Sequence, residues 1–244
     1  MSSPKWFVPR FTCRISDVRQ LCRGEAEVLE TIIRERKDWT QVCLLWIFLG
    51  GAAYGCTLGL WQWGTQQPAY VALKIPLLFV LTAVGNGILN GMLAQLLGLP
   101  LSFRESFAAI LTSFAIMALI LGSLFPVISF LVFNTPSPDE ADGRMGYSFT
   151  MVFHVVLIAF AGLMANLRLY GLLCRMAPKP GAALRGLLAW LSGNLLLGSQ
   201  LSWFLRPYIG SPNLQVQFLR PDAFRGSFLE ALWASLRVLI QTLE

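Results

Sequence analysis

Residues 71–97 read VALKIPLLFVLTAVGNGILNGMLAQLL, and Lys74 is the one charged side chain among them. A bilayer core asks for about 20 mostly apolar residues wound as a helix, because backbone groups left unpaired in hydrocarbon cost several kcal/mol each. The stretch exceeds that length, and its lysine stands near one end, where a long side chain can snorkel to the interface. On either side lie four more segments of the same kind, at 42–64, 107–133, 149–167 and 187–205, none carrying a formal charge. The reading is an all-α polytopic membrane helix bundle with five predicted spans.

Composition agrees. Hydrophobic residues make up 55% of the 244-residue chain and charged residues only 13%, against roughly 25% charged in soluble domains. That deficit argues against a soluble enzyme. Three regions follow: a cytoplasmic N-terminal segment at 1–41, a membrane domain at 42–205, and an outer-face connector with a helix at 206–244.

Orientation follows from the Lys/Arg bias of the connecting segments. Lys5, Arg10, Arg14, Arg19, Arg23, Arg34, Arg36 and Lys37 precede the first span. With that end inside, Arg104, Arg168, Arg175, Lys179 and Arg185 fall inside as well, and only Arg144, Arg206, Arg220, Arg225 and Arg237 fall outside. The bias predicts N-in and C-out. The loop after the third span, with Pro136, Pro138, Asp139, Glu140 and Asp142, is turn-rich, acidic and compatible with the outside. The segment before the first span is charge-rich and lacks a short apolar run ending in a cleavage site, so that span is expected to remain as an anchor. Cys13, Cys22 and Cys174 fall inside and Cys43 and Cys56 in the first span, with no C-x-x-C pair. Neither a disulfide framework nor a zinc site is suggested.

Two segments outside the spans have helical periodicity. Between Asp17 and Asp38, Val18, Leu21, Cys22, Val28, Leu29, Ile32 and Ile33 recur at helical spacing, with Glu30 four before Arg34. This predicts an amphipathic helix that packs on the bundle or at the interface, or else docks a partner. Near the C-terminus, Ser227 and Glu230 have capping-box spacing. They precede an apolar face of Leu229, Leu232, Trp233, Leu236, Ile240 and Leu243. With Glu230, Arg237 and Gln241 off that face, an interfacial helix fits better than a sixth span. Between the fifth span and this helix, Pro207, Gly210, Pro212 and Pro221 predict an ordered connector. Its Arg206, Arg220 and Arg225 either contact lipid phosphates or cap helix ends, and the second reading is preferred because helix C-termini attract cations unaided.

Inside the spans, Gly51, Gly55 and Gly59 recur every four residues, as do Gly87 and Gly91. Small residues at that spacing let helix backbones approach, either within one chain, the preferred reading, or between copies in a homo-oligomer. Asn86, Asn90, Asn166 and Asn194 are expected to hydrogen-bond between helices, with a polar path as the alternative. His154, the only histidine, is expected to make an interhelical hydrogen bond, since one His builds no metal site and no carboxylate lies near it in sequence to orient it as a base. Pro126 is expected to kink the third span.

The search for chemistry returns absences. H-E-x-x-H, G-x-S-x-G, a P-loop, G-x-G-x-x-G and paired intramembrane aspartates do not occur. The spans hold no Asp or Glu for a proton relay, which disfavours a proton-driven transporter. No catalytic residue, cofactor or metal is expected. The basic residues near the inner surface suit anionic lipid, and no aromatic-interleaved basic patch points to nucleic acid.

Leu73, Lys74, Ile75, Pro76, Leu77 and Leu78 open the second span. The Leu101, Ser102, Phe103, Arg104 turn follows it, and Ser123, Leu124, Phe125 and Pro126 lie in the third. In these residues the region 40–205 resembles bacterial multi-spanning proteins of the Yip type, named for Ypt/Rab-interacting membrane proteins, which have a cytoplasmic N-terminal region followed by five spans. The resemblance implies a non-enzymatic membrane organiser or adaptor in a bacterial inner membrane. The connector and C-terminal helix extend beyond that pattern. Two functions are carried forward: a non-catalytic scaffold, adaptor or subunit of a membrane complex whose partners are lipid and another membrane protein, and an oligomeric channel or pore lined by Asn86, Asn90 and Asn194.

Overall fold

The computed structural model describes residues 14–136, 140, 142–177, 179–206, 208–209 and 215–243. Cys13, Lys5, Arg10, Pro138, Asp139, Pro207, Gly210, Pro212 and the Leu243 side chain, all of which entered the reading above, lie outside what is described. Among the described residues the secondary structure is helical: α1 (Ile15–Arg23), α2 (Ala26–Glu35), α3 (Trp39–Gly59), α4 (Gln67–Leu96), α5 (Phe103–Ser123), α6 (Phe125–Phe133), α7 (Gly143–Met176), α8 (Pro180–Leu205) and α9 (Phe228–Leu243).

Four helical stretches are long and apolar enough to cross a membrane: Trp39–Gln62, Gln67–Ala94, Phe103–Ser123 and Gly143–Met176. They overlap the first four predicted spans, the third only as far as Ser123. The fifth predicted span is the greater part of α8, but Ser192, Asn194, Ser199, Gln200 and Ser202 dilute its apolar character below that of the others.

The bundle is apolar inside and out. Trp39, Ile47, Tyr54, Ile110, Leu111, Leu121 and Trp190 are fully buried, while Phe48, Leu81, Ile88, Met92, Phe130, Phe160, Leu163 and Leu196 are exposed. A contiguous apolar exterior of this kind is what lipid covers. Helices that are apolar all round are expected there, since one face meets protein and the other hydrocarbon.

Several sequence expectations change. The single N-terminal amphipathic helix is two, because Gly24 ends α1 in a left-handed turn at φ 60°, a conformation that carries no penalty for glycine. Leu21, Leu29 and Ile33 still face inward, while Cys22 is exposed. The third span is not kinked but divided. It stops at Ser123, and Pro126 stands in the first turn of a new helix, α6, where its missing N–H costs nothing. Lys74 does not snorkel outward; it is fully buried, with its Nζ 5.2 Å from the Phe218 ring of the connector.

The turn before α5 ends sooner than expected. Ser102 caps the helix, its Oγ accepting from the Glu105 N–H at 3.3 Å while its own N–H donates to Glu105 Oε2 at 2.8 Å. Phe103 and Arg104 therefore belong to the helix itself. The predicted start of α9 holds: the Glu230 N–H donates to Ser227 Oγ at 3.3 Å. Its apolar residues divide, with Leu232 and Leu236 half-buried against the bundle and Leu229, Trp233 and Ile240 exposed.

Candidate functional site

At the end of the bundle where α3 begins, Arg36 holds the N-terminal helix pair in place. Its guanidinium donates to Asp17 Oδ1 at 2.6 Å, and its Nε donates to Asp38 Oδ1 at 2.8 Å. Asp17 is 1% exposed, so its charge is desolvated and needs this partner. The same guanidinium holds the Asp38 carboxyl below the usual carboxylate range, chiefly through their hydrogen bond. α7 contributes a second tie. At 34 residues it is roughly 50 Å long, well beyond the ~30 Å of a hydrocarbon core. Its last turns thus reach past the bundle to α2, where Arg175 Nε donates to Glu30 Oε2 at 3.1 Å and Arg175 lies 3.9 Å from Glu27. Glu30 also pairs with Arg34 at 3.2 Å, as its spacing predicts.

Within the bundle the predicted polar residues meet partners. Asn86 Nδ2 donates to Asn194 Oδ1 at 2.6 Å and to the Trp190 carbonyl at 3.0 Å, joining α4 to α8. Asn90 Nδ2 donates to the Asn86 carbonyl at 3.0 Å and to Asn86 Oδ1. Asn166 differs: its amide bonds the Gly162 carbonyl of its own helix at 2.8 Å. His154 Nδ1 and the Tyr54 hydroxyl are 2.9 Å apart, linking α7 to α3.

The glycines are consumed in packing within the chain. A Cβ on Gly51 would lie 3.3 Å from Pro76 of α4, one on Gly55 would run into the Val71 carbonyl, and one on Gly59 would lie 2.6 Å from the Pro68 nitrogen. Gly87 and Gly91 receive the rings of Phe107 and Phe103 from α5. Sequence spacing missed the glycines that join α3 to α5, Gly50 and Gly122, and also Gly193, which makes room for the Asn86 amide.

Where α4 and α7 begin and α8 ends, a cavity of about 520 Å³ opens between these helices and the first turns of α9. Ile75, Phe79, Ile158 and Leu195 give it an apolar body, and Ser202, Trp203, Tyr208, Arg206 and Arg220 gather at one end. Arg206 lies 3.5 Å above the Trp203 ring. Its guanidinium donates to the carbonyls of Asp222 at 2.8 Å and Arg225 at 3.1 Å, and lies 3.5 Å from the Asp222 carboxylate. It therefore fastens the connector rather than capping α8. Burial lowers its pKa and pushes the Tyr208 phenol up. Gly226, at φ 78°, lets the backbone pass the Trp203 ring, which a Cβ would meet at 2.9 Å.

Of the three arginines singled out from sequence, Arg206 and Arg220 line the cavity, while Arg225 is exposed and supplies a carbonyl to Arg206 and to Trp203 Nε1. Of the predicted intramembrane polar residues, His154 and Asn194 line it too. The aromatic members, Tyr147, Trp203 and Tyr208, escaped notice because they come from α7, α8 and the connector; Trp203 beside Arg206 was the one local signal. Among the described residues no group of three His, Cys, Asp or Glu side chains is placed to hold a metal ion. Comparison with known proteins finds no matching family model, curated protein or solved structure.

Proposed function

We propose that this chain is a non-catalytic integral membrane protein of five spans, N-in and C-out in a bacterial inner membrane, that serves as a scaffold, adaptor or subunit of a membrane complex. The observation that carries the reading is the ionic fastening of α1 and α2 to the bundle through Arg36 and Arg175. An adaptor needs a recognition surface held still relative to the membrane. This pair is fixed on its inner face by Leu21, Leu29 and Ile33 and leaves Ile15, Arg19, Arg23, Glu27, Thr31 and Arg34 exposed.

Topology draws support from the same end of the bundle. Arg34, Arg36 and Lys37 precede α3, Arg104 opens α5, Arg175 closes α7 and Lys179 precedes α8, so alternate crossing by α3, α4, α5, α7 and α8 gathers the basic residues on one side. That is the distribution the positive-inside rule asks of a cytoplasmic face. The likeness of Leu73 to Leu78, Leu101 to Arg104 and Ser123 to Pro126 to Yip-type proteins points to the same class.

A channel assembled through the glycine faces would need those faces free, whereas they are occupied by α4 and α5 of the same chain. Asn86 and Asn90 spend their amides on each other, on Asn194 and on Trp190. The test of the scaffold reading is co-purification in mild detergent of the full chain and of a form lacking residues 1–35. We expect a stable hetero-complex for the first and its loss for the second while the spans stay inserted. A shortened chain that keeps every partner would sink the reading.

A further inference from the structure

We propose that the cavity between α4, α7, α8 and α9 is a binding site for one anionic phospholipid of the surrounding leaflet, with its phosphate between Arg206 and Arg220 and an acyl chain along Ile75, Phe79, Ile158 and Leu195. This goes beyond the scaffold role, which it does not need, and rests on the reading of α8 as a fifth span.

Charge is the first argument. Among the described lining residues Arg206 and Arg220 are the charged ones, and none is a carboxylate. Asp222 approaches Arg206 from the connector side at 3.5 Å, which leaves two cations against one anion at the apolar cavity's end. Cations beside an apolar wall demand a counter-charge, because desolvation without one costs several kcal/mol. Unused hydrogen-bonding capacity is the second argument. Arg206 Nε and His154 Nε2 are both buried and have no partner among the described residues, although both side chains line the cavity. Buried donors and acceptors are normally satisfied, so an occupant is the natural source of the missing partners.

Shape selects a lipid over a free anion. From Arg206 to Asn194 the cavity follows α8 for about 18 Å at 1.5 Å per residue, and Ile75, Leu78 and Phe79 of α4 with Val155 and Ile158 of α7 give it apolar walls. Hydrated phosphate has no use for such a wall, whereas an acyl chain gains from covering it. The exposed lining residues Ala159 on α7 and Leu195 on α8 mark a sideways opening between these helices, where lipid would surround the bundle. Arg206 directly follows the last residue of α8, the level at which a span meets the phosphate layer of its leaflet. The guanidinium fork suits phosphate oxygens, and the Trp203 ring beneath it fixes its plane.

The test uses the full chain, delipidated in detergent, with thermal unfolding followed as dioleoylphosphatidylglycerol, dioleoylphosphatidylcholine of the same chains, or inorganic phosphate is added. Phosphatidylglycerol is expected to raise the midpoint at the lowest concentration and to stay bound, one per chain, in native mass spectra. Phosphatidylcholine should need about tenfold more, and inorganic phosphate should do nothing. Arg220→Gln, which removes a cavity charge whose side chain bonds none of the described residues, should erase the difference between the two lipids. Ala159→Trp, which fills the mouth from an exposed position and leaves the arginines in place, should weaken both. Equal response to the two lipids in the unmodified chain overturns the proposal, as does a phosphatidylglycerol response unchanged in both variants. Stabilisation by inorganic phosphate alone overturns it as well, in favour of a free-anion site.

Discussion

Gly122 on α5 faces Gly50 on α3 backbone to backbone: a Cβ on Gly122 would lie 2.8 Å from the Gly50 Cα. On the other side, a Cβ on Gly50 would meet the Ala118 carbonyl carbon at 2.7 Å. Neither obstacle is a side chain that can swing away, so helix axes must separate. Gly50→Ala and Gly122→Ala are each expected to destabilise the bundle by about 1–3 kcal/mol, the usual range for overpacking. Gly162→Ala, whose Cβ would meet only Met117 Sδ at 3.8 Å, is the control and should unfold like the parent chain in detergent.

The glycines of the two four-residue series should separate in the same assay. Gly55→Ala drives a methyl into the Val71 backbone, while Gly91→Ala meets the ring of Phe103, a residue 52% exposed and able to rotate outward. We expect Gly55→Ala to cost at least about 1 kcal/mol more. Equal costs would mean that α5 holds the Phe103 ring more tightly than its exposure suggests.

Asn86 and Asn194 offer a test of interhelical hydrogen bonding. Leucine at Asn86 should strand the Asn194 carbonyl, whereas leucine at Asn194 leaves the Asn86 amide its bond to the Trp190 carbonyl; a double-mutant cycle should return a coupling of about 0.6 kcal/mol, near the average for such bonds in membrane proteins. Asn166, bonded within its own helix, should show no coupling to either.

Acid should loosen the N-terminal pair before it unfolds the bundle. Asp38 has its pKa lowered by the hydrogen bond from Arg36. Its contribution is therefore complete above the unfolded carboxylate value, about 3.9, and is lost as pH falls through the lower folded value. Hydrogen exchange at the α1 and α2 amides should be flat from about pH 8 to about pH 5, after correction for intrinsic rates, and should accelerate below about pH 4. Arg36→Met should show the acid pattern already at neutral pH, with the buried amides of α3 and α5 still protected. Release of α1 and α2 on raising pH would contradict the assignment.

Four long apolar helices were legible because about 20 apolar residues in a row are what a bilayer core demands of a helix, and Ser227 with Glu230 marked the start of α9 for an equally local reason. Asn86 and Asn90 shared a face by spacing, yet Asn194 as their partner depends on how α4 meets α8. The breaks were harder. Hydropathy runs unaltered through Leu124, and Pro126 alone reads as a kink, since whether a helix bends or restarts at a proline is settled by what packs around it. Gly24 sat inside an amphipathic pattern whose period continues on both sides. The cavity was invisible for another reason: Phe79, His154, Leu195 and Arg206 are ordinary residues where they stand in sequence, and they become a site only through the meeting of four helices.

The division at Leu124 gives the bundle a compliant part. α5 is tied to α3 by the close approach of Gly50 and Gly122 near its last turn and by the bond from Trp39 Nε1 to Thr112 Oγ1 at 2.9 Å, whereas α6 is a nine-residue helix whose Val127, Phe130 and Phe133 are exposed. A bilayer thicker or thinner than the protein's apolar belt imposes a cost of fractions of a kcal/mol per Å, usually relieved by tilting whole spans. Here a short segment can lean at its joint while the long helices keep their crossing. The lateral strain of a changing membrane would then be absorbed at one corner, leaving the geometry at the opposite end undisturbed.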